Sequence, residues 1–393
     1  MAKNVCMIVQ NPYPNDVRVR KEARALLARG HRVSVIALRD FDEPEHEIVE
    51  GVSVYRASLL KKRAGVLRYI IEYIGFFLYA FIKLNLLDRK ERFDVVHVNT
   101  LPDFLVFSAV VQKLKGRRIV LDLHEIMFEF FMSKFGVGNR HPVVRLLLVL
   151  ERVSLSFADD VITVNDPIKE IFQKRAIPNR PIAVVMNTVS VATVRNSVKR
   201  THDGFNCVYH GTVTDIYGLD TAIAGFARAR EKHKDMMFHI YGEGPSLPQL
   251  KRLVLELQLG QAVLFHGAVP YERMMDALAD MDLGILAIRK DVFLNLSFSN
   301  KLAEYVYLKI PVISTDLDSV MHYFNDRELL FFQAGDPDDL SRKIEFAYGN
   351  KSQMQERAEA AFKKSLAFDW DVMAKRYVGV IEGHQVSSAG RAA

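Results

Sequence analysis

The chain has 393 residues, 49% hydrophobic and 25% charged, which fits a globular protein of two domains of roughly 180 residues each better than a single domain. Its two cysteines, Cys6 and Cys207, stand far apart inside apolar runs, which excludes a disulfide framework and a cysteine metal site and points to a reducing cytoplasm. The net charge of +6 divides into +8 over residues 1–190 and −2 over residues 191–393, so the first half either meets an anionic partner or is ordinary solvated surface.

Lys3 and Asn4 run directly into the apolar stretch 5–11, which reads as a strand rather than a cleavable signal. A helical-period segment at 17–29, a strand at 31–38 and later runs at 93–99, 117–124 and 159–164 give strand and helix in alternation. That is the pattern of a parallel sheet covered on both faces.

The stretch 66–87 is apolar enough to suggest a membrane span, but its uncharged core between Glu72 and Lys83 is only ten residues. A spanning helix needs about twice that. Arg68, Glu72, Tyr79 and Lys83 fall on one helical stripe and leave a broad apolar face, bracketed by Lys61, Lys62, Arg63, Arg89, Lys90 and Arg92. The segment therefore reads either as a domain helix packed on the first sheet or, with residues 61–92 as a whole, as an interfacial helix on an anionic membrane surface.

Residues 187–204 are polar and without period, as a linker is, and strand-like runs then restart at 206–212, 236–242, 262–267, 282–288, 310–315 and 328–332. Two successive Rossmann-like series are expected to place ligand sites at strand C-termini. The boundaries expected are 1–190 for the first domain and 191–365 for the second. A helix within 366–385 is expected to pack back on the first domain, and a tail at 386–393 to be disordered.

Three loops of the second half carry candidate chemistry. Gly211, Thr212 and Gly218 follow one strand, and Gly242 and Gly244 follow the next; glycines there let backbone N–H groups approach a phosphate. In the third, 297–315, helical spacing sets Asn300, Glu304 and Tyr307 near one face and Lys301 in the first turn. A carboxylate there can accept two hydroxyls, and a lysine can neutralise a diphosphate.

The ordered segments 209–220, 238–245, 263–274 and 300–315, with 12–38, 94–105 and 119–125 in the first half, resemble glycosyltransferase family four, the retaining group of GT-B fold. The resemblance implies an α/β architecture of two Rossmann-like domains facing a central cleft. It implies a nucleotide-diphosphate-sugar donor and an acceptor that is a glycan or lipid-linked, in cell-surface polysaccharide or glycolipid synthesis. It gives His124, Lys301 and Glu304 as the catalytic set, His124 being the histidine aimed at the donor sugar and Glu304 the ribose-holding second glutamate of the E-x7-E signature. Gly211, Thr212, Gly218, Gly242, Gly244, Asn300 and Arg18 join them on the donor, and Asp16, Asn99, Asp103 and Glu125 fall on the acceptor side.

The sequence departs from the family pattern at Leu296, where the first glutamate belongs, and at Thr212 and Tyr217, where Arg and Lys are usual. Lys301 and Arg18 are the candidates to meet the diphosphate charge instead. The reaction is expected to proceed by front-face substitution, with the departing phosphate taking the acceptor proton. It requires no metal or other cofactor and no nucleic-acid partner, and the protein is expected in the cytoplasm, at the inner face of the cell membrane where it meets lipid. A nucleotide-sugar epimerase and a non-catalytic nucleotide-sugar-binding protein remain the alternatives.

Overall fold

A computed structural model describes residues 1–40, 42–59, 66–194 and 204–384, with the side chains of 66–70, 193 and 194 not described. Lys61, Lys62, Arg63, the Arg68 side chain, the linker stretch 195–203 and the tail 386–393 lie outside the described residues. The chain forms two compact units, one of residues Met1–Asn187 together with the segment from Asp371, the other of Thr188–Trp370.

The first unit holds an eight-stranded sheet of β1 (Asn4–Pro12), β2 (Arg32–Leu38), β3 (His46–Val49), β4 (Val52–Ala57), β5 (Val95–Asn99), β6 (Arg118–Leu123), β7 (Asp160–Thr163) and β8 (Ala183–Val184). Their order is β3-β4-β2-β1-β5-β6-β7-β8, and every pair is parallel except β3 with β4. Continuous apolar runs such as Val5–Val9 form the strands because both faces are covered and all five residues are buried. The order reverses at β1, so the C-terminal ends of β1, β5 and β6 carry the residues that can meet a ligand.

The helix Val66–Glu91 follows β4 and buries Phe76, Ala80, Leu84 and Leu87 at the spacing of one helical face. The expected polar stripe lies on its flank: the Tyr79 hydroxyl donates to the Arg56 carbonyl at 2.8 Å, and Lys83 sits over the Tyr55 ring. No helix among the described residues is long and apolar enough to cross a membrane.

The second unit holds a six-stranded parallel sheet of β9 (Phe205–His210), β10 (Met236–Tyr241), β11 (Val263–Gly267), β12 (Leu283–Leu286), β13 (Val312–Thr315) and β14 (Leu330–Phe332), in the order β11-β10-β9-β12-β13-β14. Cys207, Tyr209, Phe226, Phe238, Ile285 and Ile313 centre its core. The reversal point here is β9, flanked by β10 and β12.

The division between units falls inside the helix Trp370–Glu382. Its residues from Asp371 are bound into the first unit. The Arg376 guanidinium donates to the Val184 carbonyl, Lys3 donates to the carbonyls of Ile381 and Glu382, and the Tyr377 hydroxyl meets His97 Nδ1 at 3.0 Å.

Candidate active site

In the second unit β9 ends at His210, and the chain turns through Gly211 and Thr212. The helix Asn300–Tyr307 brings Lys301 and Glu304 to the same strand end. His210 Nε2 lies 2.5 Å from Glu304 Oε2, and His210 Nδ1 lies 3.0 Å from the Tyr305 hydroxyl, all three residues being buried. Burial raises the Tyr271 hydroxyl, and the charge of Glu304 nearby adds to the effect. Glu304 is therefore no solvated helix charge but a buried carboxylate held by His210. That arrangement suits a group that must present its remaining oxygen lone pairs to ligand hydroxyls.

Lys301 reaches across Gly211, where a Cβ would come within 2.3 Å of Lys301 Cε. Its Nζ sits 3.9 Å from the centroid of the Tyr217 ring and 5.6 Å from that of Tyr209, so aromatic faces take the place of counter-ions. Burial pushes the ammonium down to about 8 against the opposing pull of Glu304. A partly desolvated ammonium with no ion pair among the described residues is prepared for an incoming anion. Tyr217, which replaces the usual basic residue, supports Lys301 from beneath.

The two glycine loops meet backbone to backbone. Gly242 has φ +129° and a Cβ there would stand 1.9 Å from the Gly211 carbonyl oxygen. Gly211 N donates to Tyr241 O and Val213 N to Glu243 O, which fixes the loops side by side. Gly244 lies against Val213, Gly218 begins the helix Leu219–Lys232, and Arg289 pins the intervening turn through Asp215 and Asp220. Thr212 is exposed and its carbonyl accepts from Tyr209. Asn300 is half-buried at the head of its helix. Tyr307, expected on the Glu304 face, packs instead with Val191 and Ala303.

In the first unit the strand ends of β5 and β6 bring together Asn99, Asp122 and His124. His124 Nε2 lies 3.2 Å from Asp122 Oδ2 and 3.1 Å from Asn99 Oδ1. Asn99 Nδ2 faces the Ile8 carbonyl at 3.4 Å, so both neighbours of Nε2 are acceptors and Nε2 carries the proton. Nδ1 is the ring nitrogen that neither of these residues engages.

Arg18 departs from its expected role. Its guanidinium is buried, donates through Nε and Nη2 to both oxygens of Asp122 at 2.9 and 3.0 Å, donates through Nη1 to the Val185 carbonyl, and pairs with Glu22. Its charge is consumed in the interior and cannot also serve a diphosphate. One guanidinium faces two buried carboxyls, and they separate. Burial pushes Glu22 well above the carboxylate range, Asp122 adding to the effect. Burial works the same way on Asp122, but Arg18 and His124 outweigh it and hold that carboxyl well below its usual range. Glu22, His97 and Asp122 form the one cluster of potential metal ligands among the described residues, and Arg18 supplies its cation.

Asp103 and Asp16 also have structural duties. Asp103 is buried at the start of the turn Asp103–Ala109, and burial together with Glu151 pushes its carboxyl up to about 8. A neutral interior acid does not present itself to an acceptor. Asp16 caps the helix Val17–Ala28 by accepting from Val19 N. Glu125 is half-buried, with burial raising its carboxyl.

Asp122, His210, Tyr271, Tyr305, Glu22 and His97 are the residues of these clusters that the sequence leaves out of the site. Two of them carried a signal, His210 at a strand end directly before Gly211 and Asp122 two residues before His124.

Residues 16–188 match the glycosyl transferase 4-like domain and residues 192–364 match the glycosyl transferases group 1 domain. A human phosphatidylinositol N-acetylglucosaminyltransferase subunit is 23% identical across 81% of this chain, and the match spans 63% of that relative's own length. Among solved structures, a sucrose-phosphate synthase from Thermosynechococcus elongatus superposes with a TM-score of 0.75 at 16% identity, covering 97% of this chain and 98% of that one. Anabaena HepE, solved in complex with UDP, gives 0.70 at 13% identity, covering 97% and 100%. These likenesses show the fold, α/β with two parallel-sheet domains of the GT-B type.

Proposed function

The chain belongs to the group 1 glycosyltransferases of GT-B fold, and from that premise we propose that it transfers a sugar with retention of configuration from a nucleoside-diphosphate donor to a glycan or lipid-linked acceptor. The observation that carries the reading is the Glu304, His210 and Lys301 cluster at the end of β9. Glu304 receives the donor ribose, and Lys301 with the N–H groups of the glycine loops receives the diphosphate. As the anomeric bond breaks, negative charge collects on the leaving phosphate, and a desolvated ammonium stabilises that charge more than it stabilises the intact donor.

His124, on the first unit, is assigned to a donor-sugar hydroxyl through Nδ1, and the departing phosphate takes the acceptor proton. The reading calls on no metal or other cofactor. The names of the relatives direct the choice of ligands: HepE is solved with UDP and with UDP-glucose, and the human relative is named for N-acetylglucosaminyl transfer to phosphatidylinositol. A lipid-linked acceptor in surface-glycan or glycolipid synthesis, met at the cytoplasmic side of a membrane, is the context proposed.

Thermal-shift screening of nucleoside-diphosphate sugars, followed by NMR of the product's anomeric configuration, tests it. The expected result is one stabilising donor and a product with the donor's anomeric configuration. New sugar stereochemistry from donor alone would assign an epimerase. Donor binding with neither transfer nor slow donor hydrolysis would assign a binding protein.

A further inference from the structure

The helix Val66–Glu91 and the later helix Pro142–Phe157 both keep aliphatic side chains in solvent. From Ile71 to Asp88 every exposed position of the first is aliphatic: Ile71, Ile74, Leu78, Ile82 and Leu86, each 48–61% exposed. They recur every three or four residues, diametrically opposite the buried Phe76, Ala80 and Leu84. The second helix repeats the pattern with Val143, Leu146, Val149 and Val153, each 36–58% exposed, while Val144, Leu147, Ser154 and Leu155 face inward. Stripes of this kind on two helices exceed the scattered apolar exposure of an ordinary surface.

The topology puts both stripes on one side of the first unit. The crossovers from β4 to β5, β5 to β6 and β6 to β7 all advance in the same direction along the sheet, so right-handed connection places their helices on one face. The turn Asp103–Ala109 lies between the two helices. Phe104 packs on Phe77 of the first at 6.1 Å between ring centroids, and Phe107 packs on Phe157 of the second at 5.2 Å. Val110 and Leu114, which follow that turn, are exposed as well.

The charges on this face have one sign. Among the described residues, the exposed charged positions of the two helices are Arg89, Lys90, Arg145 and Arg152, with no exposed acid. We infer that this two-helix face of the first unit docks on an anionic lipid surface, its aliphatic stripes entering the headgroup boundary and its arginines and lysine meeting lipid phosphates. A second copy of the chain fits less well, because a two-fold contact would set these same cations against one another. The inference stands on the helices and not on the transfer reaction, so the experiment omits donor and acceptor.

The full chain is cosedimented with vesicles of phosphatidylcholine alone and of phosphatidylcholine with phosphatidylglycerol, at low and high salt. Three double variants accompany it: Leu78→Gln with Ile82→Gln, Leu146→Gln with Val149→Gln, and Arg145→Ser with Arg152→Ser. All six positions are exposed, and circular dichroism melting checks that each variant folds as the wild type does. Expected are strong partition to the anionic vesicles only, release by salt, an approximately tenfold loss for each aliphatic pair, and a loss of roughly 25-fold for the arginine pair at low salt. Failure of the folded wild type to sediment with anionic vesicles at low salt overturns the inference, and so does undiminished binding by the variants of either helix. A dimer in sedimentation velocity that the aliphatic substitutions dissociate would assign the face to a second copy instead.

Discussion

Glu304 and His210 form the tightest polar contact of the second unit's site, and a positioned carboxylate is worth more to a ligand than a mobile one. Glu304→Ala is expected to weaken donor binding about 10- to 100-fold, the loss for hydrogen bonds to a charged group being about 1.5–3 kcal/mol. His210→Ala should weaken it too, by freeing Glu304. The double variant should then bind no worse than Glu304→Ala, because His210 acts only through that carboxylate. Calorimetric affinities for the four proteins decide the point, and simple additivity would remove His210 from the site.

Lys301 gives a pH-dependent expectation. Its folded pKa of about 8 lies below the 10.5 of an unperturbed lysine, so between those two values the unfolded chain holds a proton that the folded chain lacks. The cost of burying the ammonium is thus fully present below pH 8 and is relieved as pH rises toward 10.5. A bound diphosphate favours the charged form and restores the proton. Donor binding at pH 9 should therefore take up close to one proton, read from calorimetry in buffers of different ionisation enthalpy. Lys301→Ala should abolish the uptake and lower turnover more than donor affinity. Equal proton uptake in the variant would assign the titration to another group.

At the scale of elements, the paired loops after β9 and β10 are built so closely that only backbone separates them. Gly242→Ala must push its Cβ against the Gly211 carbonyl at a φ of +129°, with no flexible side chain to yield. A cost of about 3 kcal/mol or more is expected. Gly30→Ala, at φ +80° with no atom within 4 Å of the added Cβ, should cost only about 1–2 kcal/mol. Urea midpoints of the two variants measure the contrast, and equal shifts would show that the loops relax. The helix Val66–Glu91 carries a lesson at the same scale. Its apolar residues point two ways, one stripe packing in the core as the domain-helix reading expects and the other lying in solvent, where the proposed membrane contact would form.

For the whole molecule, two units with their own cores are expected to melt in two calorimetric transitions. A donor nucleotide at about a hundred times its Kd should raise only the second unit's transition, adding about 2.7 kcal/mol there. Arg18→Met leaves Asp122 buried without its partner, and should lower only the first unit's transition, by about 3–5 kcal/mol. A single transition that moved in both experiments would mean that the units unfold as one.

The alternation of apolar runs with helical-period segments determined the parallel sheets, because a strand buried on both faces is apolar along most of its length. Strand-end glycines marked the loops, since few other residues allow backbones so close. Lys301 and Glu304 could be set near each other because one short helix fixes their spacing, while the roles proposed for them came from the family resemblance. What spacing could not decide was which partner each charged group would find. Arg18 reads as a free cation in sequence, and only the fold sets Asp122, more than a hundred residues away, against it. His210 likewise became a site residue only when the helix Asn300–Tyr307 arrived beside β9. The second aliphatic stripe, on Pro142–Phe157, is ordinary helix pattern in sequence, and it gained meaning when tertiary packing covered one side of that helix and left the other in solvent.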